Sequence, residues 1–202
     1  MLNKNIINYP LQLGIKTWLR FICERINIKK LILVKGKSIN GKINKLYLEA
    51  TNLIFENLHI NKIIIKIKDF NIKFNYKKNC LFSDDISVNC FLMIDSSNLE
   101  KMFFKDKWQD IRTYFENEFT EGHIILELDI INNLIYFNYK KNNLDLKKKV
   151  TLNLEGNLLF FEDVKNKKKI SLPLDKNINL KSCLIKDELI NIDFTSKVRF
   201  ET

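Results

Sequence analysis

From Gly41 to Phe74 the chain reads GKINKLYLEATNLIFENLHINKIIIKIKDFNIKF, with apolar side chains at every second residue and a phase that changes more than once. A two-residue period puts successive side chains on opposite faces of an extended chain, so this stretch predicts strands with one buried face. Leu46, Leu48 and Ala50 share one parity, Leu53 and Phe55 take the other, Leu58 and Ile60 return to the first, and Ile63, Ile65 and Ile67 switch again. Each switch requires a bulge or a turn. Thr51-Asn52 and Asn57 sit at the slips, which predicts a long bent strand and a return strand, with Lys62, Lys66 and Lys68 facing water. Such a sheet is curved, and something must fill its concave side.

Two segments carry the three- and four-residue spacing of helices instead. After Pro10, the residues Leu11, Ile15, Trp18, Leu19, Ile22 and Ile26 predict an amphipathic helix over 10–26, with Lys16, Arg20, Glu24 and Arg25 on the remaining surface. Its Trp18 indole suits either the core or a lipid interface. Ser97-Asn98-Leu99-Glu100 reads as a capping box, the Ser97 hydroxyl accepting from the Glu100 backbone. Leu99, Met102, Phe103, Trp108, Ile111, Phe115 and Phe119 then continue at helical spacing, with a break possible near Lys105–Lys107. Uninterrupted, residues 97–119 would reach about 35 Å at ~1.5 Å per residue.

The rest predicts strands separated by turns. A strand is expected at 31–35, followed by turns at Lys35-Gly36-Lys37 and Ile39-Asn40-Gly41 in which glycine supplies positive φ. Ile86 to Ile94 alternates cleanly, as does Ile124 to Ile130, and Asn132-Asn133 turns the chain into 134–139. Further strands are expected at 150–154, through Gly156-Asn157 into Leu158–Phe161, at 170–174 after a charged turn at 165–168, at 178–184 and at 190–200. The expectation is an α+β fold: one curved, mostly antiparallel sheet wrapped around a long helix at 97–119, with the N-terminal helix docked at an end or edge.

A chain of 202 residues with 46% hydrophobic content can bury about 70% of its unfolded surface in one core. No linker is visible, so residues 1–202 are read as a single domain. The net charge of +10 attracts anionic partners, lipid headgroups or nucleic acid, without choosing between them. Cys23, Cys80, Cys90 and Cys183 contain no CxxC pair, and no histidine stands at ligand spacing. They predict free thiols in a reducing compartment. No stretch approaches the ~20 apolar residues of a spanning helix, and no apolar run ends in a signal-peptide cleavage site. A cytoplasmic protein, peripheral to a membrane, is expected.

No catalytic constellation is recognisable. His59 and His123 are isolated, and Asp84-Asp85 and Asp187-Glu188 lie beside turns, where acidic residues bond the backbone. There is no GxGxxG or Walker loop; no enzyme, cofactor or metal is expected. Lysines cluster at 66–68, 77–78, 140–141, 147–149 and 165–169, which keeps nucleic acid as an alternative partner. Against it, Phe70, Phe74, Phe115 and Phe160 read as keeping the apolar phase rather than interleaving with lysine on an exposed face.

The segments LQLGIKTWLRF, the Gly41-Lys42-Ile43 turn, ATNLIFENLHINKIIIKIKDFNIKFN and SNLEKMF together resemble the LmeA-type phospholipid-binding family, notably its cyanobacterial branch. Trp18, Leu19 and Arg20 match its Trp-Leu-Arg step; Ala50, Asn52, Leu53, Phe55 and Leu58 match its ribbon, with Asn57 where a glycine is usual; Ser97, Asn98 and Leu99 match its helix start loosely. The likeness covers residues 10–120. It implies a non-enzymatic domain that holds phospholipid between a curved sheet and helices. On this reading the lipid-binding residues are Leu53, Phe55, Leu99, Phe103, Trp108, Ile111 and Phe115. Leu11, Ile15, Trp18 and Ile22 would contact the membrane. A structural or protein-interaction domain without ligand is the remaining alternative, its interior filled by its own side chains.

Overall fold

The predicted ribbon is a hairpin of β2 (Lys42–Phe55) and β3 (Leu58–Asn71). The computed structural model describes residues 8–36, 42–71, 73–75, 80–82, 86–172 and 174–198. Along the hairpin the register holds without a shift from Lys42↔Asn71 to Phe55↔Leu58. Both strands change parity together, at the rung between Thr51↔Lys62 and Leu53↔Ile60, where Asn52 takes φ 51°. A second joint change lies between Ile43↔Phe70 and Lys45↔Lys68, where Asp69 takes φ 48°. A paired flip keeps the apolar residues of both strands on one face without inserting a residue into either.

The hairpin extends into a six-stranded antiparallel sheet in the order β1-β2-β3-β6-β13-β12, with β1 Arg25–Lys35, β6 Ile86–Asp95, β12 Ile178–Lys186 and β13 Leu189–Val198. A second sheet is a five-stranded meander, β7 Ile125–Ile131, β8 Leu134–Lys141, β9 Leu144–Glu155, β10 Leu158–Asp163 and β11 Lys169–Leu172. A small ribbon pairs β4 (Lys73–Asn75) with β5 (Cys80–Phe82). The architecture is therefore α+β and mostly antiparallel, but two sheets pack against each other where a single sheet around a helix was expected. Their facing sides share the largest core cluster, which joins Ile94, Leu180 and Ile190 of the first sheet to Leu128, Ile135, Phe137, Val150 and Leu159 of the second.

The helix expected over 97–119 is three pieces: α2 Ser96–Phe103, a 3-10 turn at Asp106–Trp108, and α3 Gln109–Thr120. The break falls at Phe104–Lys105, beside the Lys105–Lys107 run. Its start is also different, since Asp95 rather than Ser97 caps it, the Asp95 Oδ1 accepting from the Asn98 backbone N–H at 2.8 Å.

The N-terminal helix is α1, Asn8–Ile22, and it stops four residues before the expected end, so Ile26 belongs to β1. Its inner residues Ile15 and Ile22 pack on the apolar face of the first sheet, against Leu33, Ile43 and Phe70 and against Ala50, Leu53 and Ile63 respectively.

Four hairpin turns, Glu56-Asn57, Asn132-Asn133, Asn142-Asn143 and Asp187-Glu188, hold both central residues at φ between 47° and 65°, the two-residue geometry whose twist matches that of paired strands. Asn57 at φ 65° thus takes a conformation that glycine also takes. Gly36 is not a positive-φ residue as expected; a Cβ there would stand 2.8 Å from Oδ1 of the exposed Asn44 side chain and 3.2 Å from Lys42 Cβ, so the side chains of β2 crowd it. The Ile39-Asn40-Gly41 turn and Asp84-Asp85 lie outside the described residues.

Candidate functional site

Between the two sheets lies a cavity of about 280 Å³ whose lining surface is wholly apolar. The first sheet contributes Leu58 and Ile60 from β3, Leu92 and Ile94 from β6, and Cys183, Ile190 and Ile192 from β12 and β13. The second sheet contributes Leu128, Ile135, Phe137, Leu152, Leu159, Phe161 and Leu172. Leu99, Met102 and Phe103 of α2, Trp108, and Ile111 and Phe115 of α3 complete the wall. Alternation produces both sheet walls: in Leu158–Phe161, Leu159 and Phe161 point in, and period two sends Leu158 and Phe160 out.

A polar knot at the start of α2 positions the helical wall. The Asp95 backbone N–H donates to Asn61 Oδ1 at 2.7 Å, and Asn98 Nδ2 donates to the same oxygen at 2.9 Å. Asn61 Nδ2 in turn donates to Asp95 Oδ2. Ser96 Oγ donates to Asp129 Oδ1 at 2.8 Å and accepts from the Ile130 backbone N–H at 3.0 Å. These bonds fasten α2 to β3 on one side and β7 on the other. The aromatic wall is interlocked too: Phe103 stacks on Phe137 with centroids 5.8 Å apart, and Phe115 meets Phe161 edge-on at 4.8 Å.

Five of the seven expected lipid-binding residues, Leu99, Phe103, Trp108, Ile111 and Phe115, come together on this wall. Leu53 and Phe55 do not; they sit in the neighbouring cluster with Ile22, Ala50 and Ile63, and Leu58 and Phe194 pack against both clusters. What the sequence reading missed is the whole second-sheet wall. Its signal was present in the alternation of β8, β9 and β10, but parity does not say which sheet a strand faces; in β7 the expected face of Ile124, Leu126, Leu128 and Ile130 is broken, because a bulge between Ile125 and Glu127 buries Ile125 and leaves Ile124 and Leu126 exposed.

The site carries little chemistry beyond its shape. Cys183 is a free thiol whose pKa burial pushes up to about 12, and burial, then the Asp193 charge, pushes Cys90 to about 12 as well, so neither supplies a thiolate at neutral pH. Burial, then Lys101 and Lys105, lowers His59. Among the described residues no three His, Cys, Asp or Glu side chains gather as a metal site. The one polar atom of note is Trp108 Nε1, buried without a hydrogen-bond partner on a residue of the cavity wall.

Of the expected membrane-contact residues, Ile15 and Ile22 face the core, whereas Leu11 and Trp18 are exposed. Phe160 departs from expectation as well, lying beneath Lys169 Nζ at 5.8 Å on the outer face of the second sheet. Phe74 lies where no side chain is described. Among the described residues no helix is long and apolar enough to cross a membrane. No protein-family model matches this chain, and no curated protein and no solved structure matches it either.

Proposed function

We propose that this chain is a non-enzymatic phospholipid-binding protein that works at a membrane surface and holds acyl chain between its two sheets and the α2–α3 wall. The observation that carries the reading is the wholly apolar cavity of about 280 Å³. Ligand sites begin near ~300 Å³, and an apolar cavity of about half this volume is enough for benzene. A space of this size favours one acyl chain over two. The likeness of residues 10–120 to LmeA-type proteins points the same way.

Native mass spectrometry of the purified protein, with solvent extraction and lipid analysis, is the test. Stoichiometric phospholipid is expected. Protein that arrives lipid-free, ignores vesicles and instead shifts labelled RNA or DNA at physiological salt would transfer the function to the outer face of the second sheet. There Lys149 lies 5.7 Å from the Tyr136 ring and Lys169 lies over Phe160. Protein that binds neither would leave the apolar space as a packing feature of an interaction domain.

A further inference from the structure

The outward side of α1 carries large apolar side chains where a helix packed on a sheet ordinarily places only polar and charged ones. Phe21 is 88% exposed, Trp18 55% and Leu13 53%. Leu13, Thr17 and Phe21 follow one another at four-residue steps, so they form one line along the helix, with Gly14 and Trp18 beside it. The helix NYPLQLGIKTWLRFI contains no acidic residue, and Lys16 and Arg20 run along one side of the line, opposite Gly14 and Trp18. Its inner residues Ile15 and Ile22 are already committed to the sheet. The outer apolar line is therefore surplus to folding.

The charge around it is not neutralised. Lys62, Lys141, Lys148, Lys168 and Lys169 each have a carboxylate within ion-pair distance. Among the described residues, Lys16 and Arg20 form no ion pair with a carboxylate.

We infer that the outer line of α1, with Trp18 and Phe21 as its anchors, docks on an anionic bilayer, lying in the plane of the headgroups with Lys16 and Arg20 at the phosphate level. The apolar width, the exposed tryptophan and the flanking cations are what an interfacial helix needs. This deepens the membrane-surface part of the reading above and does not depend on what fills the cavity.

The test is co-sedimentation with vesicles of phosphatidylcholine alone or mixed with phosphatidylglycerol, at low and high salt, using the full chain, the double variant Trp18→Ser/Phe21→Ser and the double variant Lys16→Ala/Arg20→Ala. Binding is expected only with the anionic mixture, weakened by salt. Removing the two aromatic anchors is expected to lower partitioning by about tenfold or more, and each basic residue removed by about fivefold. Because Trp18 and Phe21 are exposed, the melting temperature of their variant should match that of the parent. Unchanged partitioning of the Trp18→Ser/Phe21→Ser protein would overturn the inference. So would a parent that sediments as a dimer and becomes monomeric in that variant, since the line would then belong to a second copy of the chain. Lipid carriage in the cavity is read by extraction, so each reading can fail while the other stands.

Discussion

At the scale of single residues, the least expected charge is Asp163, 1% exposed at the end of β10. Its Oδ2 accepts from Lys148 Nζ at 2.8 Å and its Oδ1 from the Lys165 backbone N–H at 2.8 Å. Burial alone would raise its pKa, but the Lys148 bond and the backbone donors outweigh burial and hold it below its usual value. A carboxyl with a lowered folded pKa contributes stability above its unfolded value of ~3.9, and that contribution is lost as pH falls through the folded value. Asp163→Asn is therefore expected to lower stability by about 1–3 kcal/mol at pH 7. Melting curves of parent and variant should stay separated down to about pH 5 and converge below about pH 4. A gap that persists undiminished in acid would show that Asp163 acts through shape and not through charge.

At the scale of elements, the turns set the register. Asp187-Glu188 joins β12 to β13 with φ of 53° and 60°, although glutamate pays a steric penalty there that glycine does not. Glu188→Gly keeps the backbone N–H that donates to Asn133 Oδ1. It relieves roughly 1–2 kcal/mol of strain against roughly 0.5–1 kcal/mol of added unfolded-state entropy, so a net gain of about 0.5 kcal/mol and a slightly higher melting temperature are expected. A lower melting temperature would mean that the turn is not of this type. The same residues show what the sequence made legible. Alternation placed nearly every strand, and Asn52 marked the phase slip, because both signals are local. The break at Phe104–Lys105 was visible as a charged interruption, yet helical spacing on both sides hid that the two halves are separate helices. Ser97 passed for a cap because a capping box is a four-residue pattern. Asp95 took the role because Asn61, thirty-four positions away, holds it in place, and no local pattern records such a partner.

At the scale of the molecule, the question is whether the space between the sheets is a ligand site or an imperfection of packing. A packed interior leaves few voids larger than a water, whereas about 280 Å³ persists here between walls contributed by nine strands and three helical pieces. Filling it answers the question. Ile192 projects from β13 into the cavity and is half-buried, so Ile192→Phe adds volume from a strand that tolerates aromatic residues. If the space is a ligand site, a decanoyl-chain lysophospholipid at a hundredfold excess over its Kd should stabilise the parent by about 2.7 kcal/mol. That is about 5–10 °C in melting temperature for a chain of this size. The Ile192→Phe protein should melt no lower than the ligand-free parent and should lose most of that response. A lipid response equal in both proteins would place the lipid elsewhere, and a variant that unfolds early would mean the cavity walls are too rigid to admit a ring. In the second case Ile111→Phe, on the half-buried face of α3, repeats the test from the opposite wall. Loss of the response in either filled variant, with stability kept, is the result that ties the lipid to this space.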